Sequence, residues 1–308
     1  MSRTSDTILP RYADDGTVVR ELHDIPPYRV YEVRLEGRRA VLKIDDHPRG
    51  HAADVGRVHE YVGTHTSAPV PSVLAVGDDH YLTAWHDGFE GASATTDTAW
   101  ARAAGCWLAT VHTDTTGDFD GYGRPRDAPS GLELEANDDW IDAVRERIAH
   151  HCSFLDPFGY ADIGTAVDRF LDAHPHVFDG AGPPVLCHGD VHPEHLTHVE
   201  DEATAAIDFE HALVAPAEYD YWRTVQPYLD APDDVSNAVT RAFQDGYETV
   251  RPLPDGLERR RPAYRLLNLV AFLESLHLQR TVAPGRRTAV SDRLREAVFE
   301  TLETLQTR

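Results

Sequence analysis

Along this chain the spacing of apolar residues changes near residues 83 to 88, and that change constrains the fold more than any other feature. Ahead of it, "VVRELHD", "YRVYEVRLEG" and "RRAVLKID" are β-branched runs, the last two joined by E-G-R, which predicts a hairpin ending near residue 45. Residues 51 to 64 have helical composition, and "APVPSVLAVGDDHYLTAWHDG" supplies two further strands around a G-D-D turn. Beyond residue 97 the period becomes helical. Trp100, Ala104, Trp107, Leu108 and Val111 form one stripe behind Asp97, a candidate N-cap, so both tryptophans read as core. Helical stretches also fit residues 137 to 151, 162 to 173, 233 to 248, 262 to 280 and 291 to 306, with two short strands in "PPVLCHGDVHPEHLTHVEDEATAAIDFE". The expectation is an α+β chain of two lobes, a small β-rich one over residues 1–87 and a larger helical one over 88–308, with a ligand cleft between them.

Composition narrows the partners. The net charge of -23 argues against nucleic acid and anionic membrane surfaces, because like charges repel over about a Debye length, ~8 Å at physiological salt. A cationic ligand suits such a charge. The acid is dispersed along the whole chain, as expected for a halophilic protein in a salt-rich cytoplasm, so it bears only weakly on the substrate. Cys106, Cys152 and Cys187 show no C-x-x-C spacing, the N-terminus has no apolar signal region, and no run reaches the ~20 apolar residues of a membrane span; a cytoplasmic location is expected.

The residues that carry chemistry cluster in "VLCHGDVHPEHLTHVEDEATAAIDFEHA": an apolar strand, a polar loop with His188, Asp190, His192, Glu194 and His195, a second strand, and Asp208 at its end. Setting a loop carboxylate beside a strand-end carboxylate is what magnesium-dependent phosphoryl transfer requires: one takes the proton of an attacking hydroxyl, the other holds the metal that bridges phosphate oxygens. The alternative of a metal hydrolase built from His188, Asp190, His192 and His195 lacks the helical H-E-x-x-H spacing, since "HGDVHP" contains Gly and Pro.

This segment resembles the catalytic core of the aminoglycoside phosphotransferase and choline kinase-like superfamily, relatives of protein kinases, and "HGDVHPEH" is closest to the macrolide phosphotransferase loop. The resemblance runs in family order from about residue 17 to 225, and it implies a protein kinase-like two-lobe fold. It also implies ATP or GTP with Mg²⁺ as cofactors and transfer of the γ-phosphate to a hydroxyl of a small molecule. By the same resemblance, Asp190 is the catalytic residue, Asp208 and His195 are metal ligands, and Lys43 in "VLKI" pairs the nucleotide phosphates. Asp54 is then the first choice for the acidic partner of Lys43, with Glu60 the second, and Trp85 and His86 belong to the nucleotide-binding hinge. His188 is expected to hold the loop, Asp220 to anchor backbone near it, and His192 and His198 to lie on polar loop surface.

Lys43 is also the only lysine among 29 Lys and Arg residues. A compact ammonium on a flexible stem suits phosphate oxygens deep in a cleft, where a planar guanidinium does not. Two departures stand out. His195 occupies the position where the family usually has Asn, and the loop expected to cover the phosphates, "HDIPPYRV", has no glycine. They make a nucleotide-binding protein without catalysis the alternative. For the acceptor pocket, residues 131 to 180 and 226 to 290 are expected to contribute, together with Glu218, Tyr221 and Trp222.

Overall fold

The fold is described from a computed structural model, covering residues 5–90, 95–229 and 234–307. A short helix α1 (Ser5–Ile8) precedes a five-stranded antiparallel sheet ordered β1-β2-β3-β5-β4, made of β1 (Thr17–Ile25), β2 (Tyr28–Leu35), β3 (Arg38–Asp45), β4 (Val73–Val76) and β5 (His80–Ala84). Strand alternation sorts β3: Ala40, Leu42 and Ile44 join Ile8, Leu9, Val33 and Leu82 in a small core on one face, so Lys43 projects from the other. That other face carries α2 (Ala52–His65), whose buried residues Ala52, Val55, Gly56, Val58, His59 and Val62 recur at helical spacing. Asp45, at the end of β3, accepts a hydrogen bond from the Ala52 amide at 2.8 Å and so satisfies one of the orphan donors at the start of α2.

The rest of the chain is mainly helical: α3 (Thr98–Asp114), α4 (Trp140–Leu155), α5 (Ala161–Ala173), α6 (Ala217–Tyr228), α7 (Asp234–Glu248), α8 (Leu257–Gln279) and α9 (Pro284–Gln306). Asp97 caps α3 as expected, accepting from the Trp100 amide at 2.8 Å, and all five residues of the predicted stripe are buried. Helices α3 and α7 cross backbone to backbone. A Cβ at Gly105 would lie 2.1 Å from the Phe243 carbonyl oxygen, and one at Gly246 would lie 2.2 Å from that of Arg102. Gly105→Ala gains up to ~1 kcal/mol of helix propensity. The clash outweighs it, because a backbone carbonyl cannot rotate aside, and a net loss of about 1–3 kcal/mol is expected in denaturant unfolding.

Sequence reading missed one hairpin, two further short strands, the four-residue helix α1 and one longer helix. Strands β6 (Tyr122–Ala128) and β7 (Gly131–Asn137) form a sheet ordered β7-β6-β11-β8 with β8 (Pro184–Cys187) and β11 (Leu213–Pro216). The segment "YGRPRDA" carries Pro125 and alternating charge with little apolar signal, and its pairing with β7 supplies the order that its composition does not. A short ribbon of β9 (Leu196–Val199) and β10 (Glu202–Ala206) completes the strands. Helix α6 starts on "AEYDYW", a segment read only as a motif. Among the described residues, no helix is long and apolar enough to cross a membrane.

Candidate active site

Two loops converge below the open face of the five-stranded sheet. The first leaves β8 at His188 and returns at His195; the second follows β10 and turns sharply at Asp208, whose φ of 71° lies in the left-handed region. Gly189 also has a positive φ, 82°, and a Cβ there would sit 2.1 Å from the carbonyl oxygen of His211. Glycine is therefore required for the two loops to touch.

Helix α6 fixes the first loop. Asp220, fully buried, accepts hydrogen bonds from the backbone N–H of His188 at 2.6 Å and of Gly189 at 2.7 Å, and lies 3.1 Å from His112 Nε2. Arg223 Nε donates to the Gly189 carbonyl at 2.7 Å. His188 packs its ring against Trp107 and Phe209, accepts from the Asp190 amide through Nδ1, and bonds the Ile207 carbonyl through Nε2 at 2.9 Å. Its imidazole therefore braces both loops and is turned away from any metal-hydrolase cluster.

The candidate side chains face one another. Lys43 Nζ reaches Asp208 Oδ1 at 2.5 Å and Glu210 Oε2 at 2.9 Å, and stands 4.0 Å over the ring of Tyr28. Burial alone would lower the pKa of Lys43, but the two carboxylates outweigh it and hold the ammonium well above its usual value. The same contact drives Asp208 well below the usual carboxylate range despite its burial. Glu210 moves the other way, raised first by burial and then, against the pull of Lys43, by the neighbouring Asp208 charge.

His195 Nδ1 bonds the Asp190 carbonyl at 2.9 Å, and its Nε2 lies 3.4 Å from Asp208 Oδ2. Asp190 Oδ2 lies 3.7 Å from both His192 Nε2 and His195 Nδ1. Burial would raise the pKa of Asp190, but His211, His195, Arg223 and His192 act against it and hold it at about 2. His192 is thus beside Asp190 and mostly buried, with a side chain 16% exposed, where sequence reading expects a polar loop surface.

Beneath the sheet is a cavity of about 550 Å3, within the range of small-molecule sites. Lys43, Asp208 and His195 line it together with Trp85, His86, Val30, Val41 and Ile207. Arg39 stacks 3.8 Å over the Trp85 ring, and His86 accepts from the Gly88 amide, so the segment after β5 is held rigidly at the cavity edge.

A profile of the phosphotransferase enzyme family matches residues 28–263. The chain belongs to that family. A search of curated protein sequences finds no match. Among solved structures, this phosphotransferase is similar to a candidate fructosamine-3-kinase from Thermobifida fusca, at 21% identity with a TM-score of 0.67 over 96% of this chain and 100% of the other. It is also similar to a thermostable variant of aminoglycoside phosphotransferase APH(4)-Ia in ternary complex with AMP-PNP and hygromycin B, at 18% identity and a TM-score of 0.67, covering 97% of this chain and 98% of that one. A candidate aminoglycoside phosphotransferase from Ralstonia eutropha gives 15% identity and a TM-score of 0.63 over 97% and 96%. At these identities the likeness is one of fold: the β-rich N-terminal region and helical C-terminal region are those of the protein kinase-like class.

Several sequence expectations for the phosphotransferase need correction. Asp54 does not meet Lys43; it accepts from Arg126 Nη1 at 3.0 Å and from the Asp127 amide at 2.8 Å. Glu60 pairs with Arg57 instead. The carboxylate that joins Asp208 at Lys43 is Glu210, whose signal was its place in "AIDFEHA", two residues beyond Asp208. The segment is not extended there: Asp208 is left-handed and Phe209–His211 form a tight 3-10 turn, which aims both carboxylates at Lys43. Glu218 lies outside both cavities described for this chain: it is fully buried against Arg260, with contacts of 2.6 and 2.8 Å, and Tyr221 and Trp222 are core. Of the loop HDIPPYRV, expected over the phosphates, His23 and Val30 line the cavity with Lys43, whereas Pro27 lies in the wall of a second cavity that Glu210 also lines.

Proposed function

We propose that this phosphotransferase is a small-molecule kinase that transfers the γ-phosphate of ATP or GTP, with Mg²⁺, to a hydroxyl of a small acceptor. In this reading residues 1–87 form the nucleotide-side lobe and residues 88–308 the lobe that binds metal and acceptor. One observation carries it: Lys43 from the sheet, Asp208 and His195 from the loops, and the segment Trp85–His86 line a single cavity of nucleotide size, with Asp190 3.7 Å from His195 at its edge.

The donor set fits a hard cation. Asp208 is held deprotonated by Lys43, Glu210 lies beside it, and His195, tied through Nδ1 to the Asp190 carbonyl, turns Nε2 toward Asp208 and would ligate the ion through that nitrogen in its neutral form. Bound there, Mg²⁺ supplies neutralisation of charge on the phosphate oxygens. Lys43 exchanges its carboxylate partners for nucleotide phosphate, and Trp85 and His86 flank the base. Asp190 accepts a hydrogen bond from the acceptor hydroxyl. The bond between the γ-phosphorus and the β-bridging oxygen breaks, a bond from the acceptor oxygen to phosphorus forms, the proton passes to Asp190 and then to water, and nucleoside diphosphate leaves. A carboxylate of pKa about 2 is a weak base, so its contribution is orientation of the hydroxyl, with proton transfer late on the path.

The test is phosphoryl transfer in molar KCl with Mg²⁺, ATP or GTP, and a panel of neutral, cationic and anionic hydroxyl compounds, with products read by mass. Nucleotide binding with no phosphorylated product from any acceptor would replace this reading by a nucleotide-binding protein without catalysis. Lys43→Arg is expected to lower kcat/KM for the nucleotide by about 10- to 100-fold, because a guanidinium in this enclosed position cannot reproduce the point contact of an ammonium. Steady-state kinetics at varied nucleotide checks it, and unchanged kcat/KM in the variant contradicts the role given to Lys43.

A further inference from the structure

On the far side of the Asp208–His211 turn lies a second cavity, of about 110 Å3. Glu210 and His211 are in its wall, and α2, β6, α4 and α8 supply most of the remainder. The four acidic residues in that wall already have partners. Asp54 binds Arg126, Glu146 accepts from Asn137, Glu210 holds Lys43, and Glu274 pairs with Arg49 and His151.

The basic residues are not balanced in the same way. Among the described residues, Arg124 on β6 and Arg147 on α4 make no hydrogen bond or ion pair, although both are only partly exposed. Burial first, and then the positive charges of Arg126 and Arg147, push the pKa of Arg124 down, as expected for guanidiniums that share one low-dielectric wall. His151, only 7% exposed, adds a buried polar atom without a partner: Nδ1 is engaged by Glu274, and Nε2 is left as an acceptor.

Asp54 and Glu135 stand near enough to Arg124 to act on its charge, but neither pairs with it: Asp54 is committed to Arg126 and the Asp127 amide and Glu135 to Arg126, while Arg147 lies over the ring of Tyr219 at 5.7 Å. The overall charge suits a cationic ligand, but in molar salt the Debye length is ~3 Å and the dispersed surface acid is screened. The groups that line the cavity therefore decide: its four carboxylates are each committed to a partner, and the guanidiniums of Arg124 and Arg147, without an ion pair among the described residues, match carboxylate and phosphate in fork geometry. A volume of about 110 Å3 admits a small acceptor and is below the ~300 Å3 lower bound of drug-sized sites.

We propose that the acceptor of this kinase is a small hydroxyl compound bearing a carboxylate or phosphate, which Arg124 and Arg147 hold while His151 Nε2 accepts from one of its hydroxyls. The word acceptor rests on the kinase reading above; the anion site rests on the cavity itself. Contact with the reacting centre runs through His211, which lines this cavity and whose carbonyl touches Gly189, next to Asp190.

The experiment uses the full chain in molar KCl, with glycerate, glycerol 3-phosphate, glycerol and choline as probes, each with AMP-PNP and Mg²⁺ for calorimetric binding and with ATP for transfer. At least one anion is expected to bind about 10- to 100-fold more tightly than glycerol or choline, and its identity separates carboxylate from phosphate. Arg124→Gln with Arg147→Gln is expected to remove that preference while AMP-PNP affinity is kept, which certifies that the variant is folded. Equal or tighter binding of glycerol or choline to the unmodified protein overturns the proposal without recourse to any variant, and so does an anion preference that survives the double substitution. Anion binding lost in the double variant, with no transfer to any probe, upholds the anion site and counts against the kinase reading alone.

Discussion

Asp190→Asn is expected to lower kcat by about 10²- to 10⁴-fold, the range for losing a positioned general base, while leaving nucleotide affinity nearly unchanged. The substitution is nearly isosteric. The loop backbone does not depend on the carboxylate, since His188 and Gly189 are held by Asp220, Gly189 by Arg223, and the Asp190 carbonyl by His195. What is removed is a negative acceptor held ionised at about pKa 2 by the imidazoles and the guanidinium around it. An amide is a poor acceptor for a hydroxyl that must lose its proton, and it leaves Arg223 and the three histidines without the charge they surround. Single-turnover kinetics at saturating nucleotide separate the loss in chemistry from binding, and AMP-PNP titration checks the second half. Because the carboxyl titrates so low, the unmodified enzyme has no ascending limb due to Asp190 above about pH 4. A variant whose kcat stays within a factor of a few of the parent contradicts the catalytic role.

Asp220→Ala is expected to cost about 3–5 kcal/mol of stability, because several buried groups lose their acceptor at about 1–3 kcal/mol each. Two backbone N–H groups lose their acceptors, and His112, fully buried, loses its carboxylate while keeping Tyr247 at 2.9 Å. Unsatisfied buried donors account for the cost, since the cavity vacated by a carboxylate is small. Denaturant unfolding in high salt measures it. Activity is expected to fall as well, because the carbonyl of Gly189 and the N–H groups of His188 and Gly189 set where Asp190 stands. Asp220→Asn keeps one acceptor oxygen and is expected to recover part of the stability. A loss below ~1 kcal/mol for the alanine variant contradicts this account of the loop.

Most of the secondary structure was legible because its signals are local. The alternation in "RRAVLKID" assigns Lys43 to the face opposite Ala40, Leu42 and Ile44, and the stripe from Trp100 to Val111 with Asp97 ahead of it defines α3. The hairpin of β6 and β7 was not legible, because Arg124, Pro125, Arg126 and Asp127 carry no period of their own and are ordered by pairing partners in β7 and β11. Helix α8 begins at Leu257, ahead of the expected start at residue 262, with Pro262 inside it. Pro262 stands beyond the first turn, so α8 forgoes the hydrogen bond that a residue there would donate to the Glu258 carbonyl.

What the sequence determined by itself is which residues are chemically able to act and which local frame holds each: a lone lysine on a strand, a glycine-turned loop with its aspartate, and a second aspartate at a strand end. Those are short-range facts, written in neighbours a few positions apart. Only the tertiary structure decided who faces whom. It gave Lys43 the carboxylate of Glu210 in place of Asp54, drew His192 in beside Asp190, sent Glu218 into the core with Arg260, and brought Arg124 of β6 to the cavity lined by Arg147 and His151 of α4. The physical reason is that contacts such as Lys43 with Asp208 join residues far apart in the chain, where nothing in the local pattern limits the choice among 52 carboxylates; packing of the elements makes that choice.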